Sequence, residues 1–254
     1  MNAAGIRVAV AGVRGKMGAL AARALAGAGG LRYVGGLVRH GAGLAQDEYA
    51  DIELLLQRAR PDVLVDFTVF PASKQIALAC IAARVRPVIG TSGYGPDDLS
   101  DVARACDEVR VGAVFAPNFA VGAVLMMRFA EIAAKHFSTA EIIEMHDAAK
   151  KDAPSGTAMA TARRVAGAQT LTRPATWQLA LDGARGATVD GVGVHSLRLP
   201  GVVAHQQVLL GSPGQTLSIS HDSYSRESFM SGMLVAVRAA PSLTHFVDGL
   251  DALL

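Results

Sequence analysis

The sequence predicts an α/β protein, a doubly wound parallel sheet joined to a second, α+β domain. Three observations carry that expectation. Apolar strand-like runs alternate with helix-forming runs over residues 6–115. A strand runs straight into a glycine turn and a helix at the start of that series. After residue 118 the texture changes to one long helix and several β-rich runs punctuated by glycine and proline. Strands that alternate with helices form a parallel sheet covered on both faces, with right-handed crossovers.

The elements follow in order. Residues 6–11 (Ile-Arg-Val-Ala-Val-Ala) read as a buried strand, and the helix formers of 19–28 follow the glycine turn. Strands are expected over 33–38, 63–67, 87–89 and 112–115, and helices over 52–59, 73–84 and 96–106. Gly29-Gly30 stops the first helix, while Gly90-Thr91-Ser92-Gly93 and Pro117-Asn118 follow two of the strands. In the second part, helices are expected over 121–137 and 156–167, with strands over 141–146, 191–199, 206–210 and 215–220. Two further helices are expected over 226–239 and 243–253, packed back on the first domain. The domain spans are therefore 1–117 plus 227–254, and 118–226.

Composition bounds the function. With 254 residues, 51% hydrophobic and 18% charged, the chain has enough apolar side chains for real cores. Aromatics are only 5%, so Ala, Val and Leu must fill those cores. A net charge of +2 argues against a nucleic-acid or membrane-surface partner. Cys80 and Cys106 sit in apolar helical contexts without metal-ligand spacing, which fits free thiols and a cytoplasmic location. The seven histidines are scattered, so no metal site is expected. No signal peptide or membrane span is expected either.

Gly12-x-x-Gly15-x-x-Gly18 lies between a strand and a helix. Gly12 permits the tight turn, Gly15 lets a pyrophosphate approach the backbone, and Gly18 lets helix and strand pack closely. Phosphate would rest on N–H groups at the helix N-terminus, across Val13, Arg14, Lys16 and Met17. The competing reading is a tight structural turn. The second strand ends in Val38-Arg39-His40, without the acid that would bind ribose hydroxyls. Arg39, helped by Lys16 and Arg14, favours NADPH, with NADH still open; alternatively Arg39 is a solvated surface cation. Ligands bind outside the carboxyl ends of strands in such sheets, which places Gly90, Thr91, Ser92, Ala116, Pro117, Asn118 and Phe119 near a flat ring. Phe119 reads equally well as core, and Asp66 as a cap or loop anchor.

The run 144–158 (Glu-Met-His-Asp-Ala-Ala-Lys-Lys-Asp-Ala-Pro-Ser-Gly-Thr-Ala) carries the chemistry of the second domain. His146 and Lys150 are proton-active groups four residues apart. Ser155, Gly156 and Thr157 open a helix whose N-terminus favours anions. A proton donor beside an anion cradle suits a substrate with carboxylates. The bland reading is a surface charge run entering a helix.

Taken together, these motifs resemble the 4-hydroxy-tetrahydrodipicolinate (dihydrodipicolinate) reductase family. The resemblance runs through residues 8–18, Asp66-Phe67-Thr68, Gly90-Thr91 and Asn118-Phe119-Ala120-Val121-Gly122. It continues through Glu144-Met145-His146, Lys150, residues 152–157, His195–Gly201 in sequence, and His221-Asp222-Ser223 leading to Arg226. It implies a Rossmann-type dinucleotide domain completed by the C-terminal helix and a second domain that binds substrate and forms a homotetramer. The implied reaction is reduction of 4-hydroxy-tetrahydrodipicolinate, or its dehydrated form, by NADPH or NADH in lysine and diaminopimelate biosynthesis. His146 and Lys150 align with the family's proton-handling pair, and Gly156 and Thr157 with its carboxylate turn, where Ser155 is expected to bind a substrate carboxylate as well. One position departs: the family's second adjacent histidine is Asp147 here. A carboxylate about 4 Å from an anionic substrate, at an effective dielectric of about 20, costs roughly 4 kcal/mol. Asp147 therefore turns away onto Lys151, or is protonated, or the substrate differs. The alternatives are a related NADPH-dependent reductase of another cyclic imine or keto acid, and a nucleotide-sensing protein without activity.

Overall fold

The computed structural model describes residues 5–168 and 178–254, so the expected domain spans include two stretches outside the described residues. The chain divides into two compact units, Met1–Phe119 with Phe229–Leu254, and Ala120–Ser228.

The first unit alternates strands and helices. Its elements are β1 (Ile6–Ala11), α1 (Lys16–Ala26), β2 (Leu31–Leu37), β3 (Glu48–Tyr49), α2 (Ile52–Ala59), β4 (Val63–Asp66), α3 (Ala72–Ala82), β5 (Arg86–Ile89), α4 (Pro96–Val109) and β6 (Ala113–Phe115). After the second unit, the chain returns with a helix at Met230–Ala239 and a strand at Phe246–Asp248. Among the described residues the sheet has seven strands, in the order Phe246–Asp248, β6, β5, β4, β1, β2, β3. All of its pairings are parallel.

A parallel sheet needs cover on both faces, and β1 shows how it is met. Ala9 and Ala11 join Leu55, Leu64, Ile76 and Cys80 in one core, beneath α2 and α3. Val8 and Val10, on the opposite face by strand alternation, are fully buried as well. Helix α1 packs against Met230–Ala239, which also meets β5. A second cluster of Ala77, Ile81, Ile89, Val102, Cys106 and Phe115 lies between α3, α4 and the sheet. Gly95 and Asp98 cap α4, with Pro96 in its first turn.

Two expected helical stretches are formed differently. Residues 243–253, expected as a helix, hold the strand Phe246–Asp248 and a short 3-10 turn at Asp251–Leu253. The reason is tertiary. The β6 edge offers a ladder, and Phe246, Val247 and Asp248 pair with Ala113, Val114 and Phe115. Gly112 N–H donates to Leu243 O at 3.0 Å, and Gly249 N–H donates to Phe115 O at 2.8 Å. Gly249 then turns the chain at φ +91°. Likewise Arg226–Phe229, expected to begin the preceding helix, is a 3-10 turn.

The second unit holds α5 (Val121–Ala134), β7 (Thr139–His146), α6 (Gly156–Ala168), β8 (Ala187–Val189), β9 (Val192–Arg198), β10 (Ala204–Ser212) and β11 (Gln215–Ser223). Its described sheet runs β11-β10-β7-β9-β8. Strand β7 is parallel to β9 and antiparallel to β10. Helices α5 and α6 pack together and cover one face of this sheet. Strand alternation sends Ala140, Ile142 and Glu144 into that covered face. Ile143, Met145, Leu197 and Leu209 share the other face by register. No described helix is long and apolar enough to cross a membrane.

Candidate active site

In the first unit, Gly12 leaves β1 at φ +74°, where an added Cβ would meet Phe67 O at 2.6 Å. Its N–H donates to Leu37 O at 2.9 Å, which pins the turn to β2. Gly18 lies against that turn so closely that a Cβ would meet Gly12 O at 2.1 Å. Gly15 is different: it is exposed, extended at φ −73° and ψ 161°, and opens α1. The exposed backbone and the helix N-terminus together are the kind of surface that could hold a phosphate.

Gly12, Arg14, Gly15, Arg39 and His40 line a cavity of about 680 Å³. Its floor is apolar, with Leu37, Val38 and Ile52. These features fit an adenine dinucleotide: an apolar slot for the base, a glycine cradle for the pyrophosphate, and cations at the ribose end. The cations are unequal. Arg14 Nε donates to Glu48 Oε1 at 3.1 Å, and its Nη2 bonds both Glu48 and Gly43 O. The Glu48 hydrogen bond holds the Arg14 guanidinium above its ordinary pKa, and Arg14 in turn holds the Glu48 carboxyl below its own. Arg14 is thus paired with Glu48, and it is exposed, as Arg39 and Lys16 are. The Val13 side chain packs where Gly36 leaves room, at 2.5 Å from a notional Cβ, and Met17 is half-buried.

At the end of β4, beside the end of β5, Asp66 acts as a pin. It is fully buried and accepts from Thr68 N–H at 3.0 Å, Thr68 Oγ1 at 2.6 Å, Thr91 Oγ1 at 2.9 Å and the Ser73 hydroxyl. It therefore sets the strand end at Gly90, Thr91 and Ser92. Phe119 is 2% exposed and meets Phe67 edge-on at 5.8 Å, so its ring belongs to the core. Ala116 is buried, whereas Ser92 and Pro117 are exposed.

In the second unit, β7 ends at His146 and a loop leads to α6. Ser155 Oγ accepts from Ala158 N–H at 3.1 Å, capping that helix. Its own N–H donates to Glu144 Oε1 at 3.1 Å. Ser155 thus builds the turn from within, and Gly156 begins the helix exposed. Lys150 Nζ donates to both Asp152 oxygens, at 2.8 and 2.7 Å. That bond, ahead of lesser contributions, holds the Asp152 carboxyl below its usual range. Asp147 does not reach for Lys151: its Oδ1 accepts from Ala149 N–H at 2.9 Å, in a tight Asx turn on an exposed loop.

Glu144 was not among the residues expected to act. It is fully buried and takes a two-pronged bond from Arg198, Nη1 to Oε2 at 3.0 Å and Nη2 to Oε1 at 2.9 Å. His146 Nδ1 lies 2.5 Å from Glu144 Oε2. Burial pushes the Glu144 carboxyl up, but hydrogen bonds from Arg198, Ser196 and His146 outweigh it and leave the net pKa lowered. The available signal was the pairing of a charged residue with the covered face of β7. His195, by contrast, bonds Glu141 at 2.8 Å, on the opposite face of β7 from Glu144.

Residues 6–119 match the family described as dihydrodipicolinate reductase, N-terminus, and residues 122–253 match its C-terminus. The 4-hydroxy-tetrahydrodipicolinate reductase of Geobacillus kaustophilus is 44% identical, over 98% of this chain and 99% of that protein. The one from Moorella thermoacetica is 43% identical, over 98% of both. A dipicolinate-bound dihydrodipicolinate reductase from Paenisporosarcina sp. TG-14 superposes with a TM-score of 0.91, at 38% identity, covering 98% of this chain and all (100%) of that one. GenD2 from gentamicin A biosynthesis, in complex with NAD, reaches a TM-score of 0.63 at 16% identity, covering 93% of this chain and 86% of its own, which speaks to the fold alone. Two family matches that together span nearly the whole chain, and relatives alike from end to end, place this chain in the dihydrodipicolinate reductase family.

Proposed function

We propose that this oxidoreductase uses NAD(P)H to reduce 4-hydroxy-tetrahydrodipicolinate, or its dehydrated form, to tetrahydrodipicolinate in lysine and diaminopimelate biosynthesis. The observation that carries this reading is the second unit's proton site. His146 is held by a buried carboxylate that also grips the N-terminal turn of α6. That arrangement places a proton group and an anion-binding turn on one rigid support, as a dicarboxylate heterocycle requires.

The nicotinamide, when bound, supplies hydride to the ring carbon. The chain's residues do the rest. Gly12 to Met17 and Arg39 hold the dinucleotide, with Gly90 to Ser92 and Ala116 to Asn118 at its nicotinamide end and the buried Phe119 ring packed behind them. Gly156 and Thr157 receive a substrate carboxylate at the positive end of α6. Lys150 protonates the departing hydroxyl of the hydrated substrate while His146 takes the ring proton lost with it, and His146 returns that proton to the ring as hydride arrives; on the dehydrated form a single proton from this pair balances the hydride. Arg39 favours NADPH, because Arg14 is already committed to Glu48. The face bearing Ile143, Met145, Leu197 and Leu209, with Leu197 37% exposed, supports assembly into a homotetramer through the second unit.

The test is NAD(P)H oxidation with freshly generated 4-hydroxy-tetrahydrodipicolinate. Turnover with NADPH at a kcat above about 1 per second is expected of an enzyme on its own substrate. No turnover with either cofactor, alongside turnover on another cyclic imine, would reject the reading.

A further inference from the structure

We infer that Glu144 is a positioning residue for the reaction: it fixes the tautomer of His146 and ties the imidazole to the anion turn of α6. The inference deepens the proposed function and rests on it, because it takes His146 as the proton group.

The geometry begins with an anomaly of burial. Strand β7 sends Ala140, Ile142 and Glu144 into its covered face, and the first two are what such a face ordinarily holds. A carboxylate there is costly unless every oxygen is satisfied. Here both are. Oε1 accepts from Arg198 Nη2 at 2.9 Å and Ser155 N–H at 3.1 Å. Oε2 accepts from Arg198 Nη1 at 3.0 Å and meets His146 Nδ1 at 2.5 Å. With the Ser196 hydrogen bond as well, the donors fill the capacity of a carboxylate.

Each donor belongs to a different part of the site. The His146 bond puts a proton on Nδ1, so Nε2 is the ring nitrogen left to face a ligand. The Ser155 bond fixes the residue that caps α6 and precedes Gly156 and Thr157. The Arg198 fork holds the carboxylate still, and Arg198 Nη2 also donates to Asp152 O at 2.7 Å. The Asp152 carboxylate in turn holds Lys150 Nζ. One buried anion therefore sets the proton group, the carboxylate turn and, through Arg198 and Asp152, the amine. A buried carboxylate that orients an imidazole through its second nitrogen works in the same way as the third member of a nucleophile triad.

A clamp that only stabilises the fold is replaceable by apolar side chains of similar size, often without loss of stability. A positioning carboxylate is not. The test therefore uses the double variant Glu144→Leu/Arg198→Met, with titration calorimetry for NADPH, steady-state kinetics and 15N spectra of the imidazoles. The expected result is a kcat about 100-fold lower, the size of loss that a small misplacement causes, with NADPH affinity within about twofold. In the wild type the neutral His146 ring carries its proton on Nδ1, and in the variant the proton moves to Nε2. A kcat within about threefold of wild type, or an unchanged tautomer, would overturn the inference. Should the variant not fold, the wild-type spectrum decides: a neutral His146 ring protonated on Nε2 rejects it. The variant His146→Asn separates the two readings. Full activity in it would remove the proposed function's proton group, whatever the tautomer of the wild-type ring.

Discussion

Two glycines in one turn should fail in opposite ways when each gains a methyl group. Gly18→Ala places a Cβ at 2.1 Å from Gly12 O, 2.7 Å from Gly12 C and 2.8 Å from Val13 Cα. All three are backbone atoms, and Gly12 is held by its bond to Leu37 O. Relief needs the turn to move by about 1 Å, and overpacking of this kind costs roughly 1–3 kcal/mol or more. The helix propensity gained from Gly to Ala, about 1 kcal/mol, only partly offsets it. A net loss of about 2 kcal/mol lowers the Tm by roughly 4–8 °C in a chain of this size. Gly15→Ala differs, because its Cβ would meet only Gly12 O, at 3.1 Å, and the backbone at φ −73° accepts any residue. Its stability should stay within about 0.5 kcal/mol of wild type. The methyl group instead stands where the pyrophosphate approaches, and NADPH affinity should fall about 10- to 100-fold, or roughly 1.4–2.7 kcal/mol. Thermal unfolding without cofactor and titration calorimetry with NADPH read the two effects separately. A Gly15→Ala protein that binds NADPH like wild type, or a Gly18→Ala protein that melts with it, would refute the reasoning.

Arg39→Ser should weaken NADPH about tenfold or more and leave NADH nearly unchanged, because Arg39 lines the cavity while Arg14 is spent on Glu48; equal losses for both cofactors would show that Arg39 touches no phosphate. Asp147→His should raise kcat/KM only about fivefold, since an exposed carboxylate bonded to Ala149 N–H repels a dianion by about 1 kcal/mol in water-like dielectric. A gain of 100-fold would mean that this carboxylate faces the substrate. His221 has its pKa lowered, first by burial and then by His205, against Asp222. The folded state thus binds fewer protons than the unfolded one, whose His titrates at 6.5, so this contribution is complete above pH 6.5 and fades as pH falls through the lowered value. Urea midpoints at pH 7.5 and 5.5 should differ in that direction, and His221→Gln should shrink the difference.

Local chemistry explains what could be read in advance. Glycine spacing beside an apolar strand marks the dinucleotide turn, and strand–helix alternation marks the parallel sheet. A Pro-Ser-Gly-Thr turn ahead of a helical run marks the proposed anion site. Long-range partners were not legible. Glu48 lies 34 residues from Arg14, and nothing in the sequence shows that it neutralises that cation. Arg198 lies 54 residues from Glu144, so the buried pair that holds His146 emerges only when β9 aligns beside β7. The run 243–253 has helical composition, yet the free edge of β6 draws Phe246–Asp248 into a strand, an override of local propensity by pairing. Asp147 shows the limit at a single position: its carboxylate closes a turn two residues on, a choice that depends on loop geometry.

The most direct test of the account is single-turnover reduction of 4-hydroxy-tetrahydrodipicolinate by Lys150→Ala, followed by loss of NADPH absorbance. The rate should fall about 1,000-fold, within the range of proton-transfer contributions to catalysis, while NADPH affinity and the thermal unfolding midpoint match wild type. A variant that turns over at the wild-type rate would contradict the role given to the amine, and with it the proton site built on His146, Glu144 and the α6 turn.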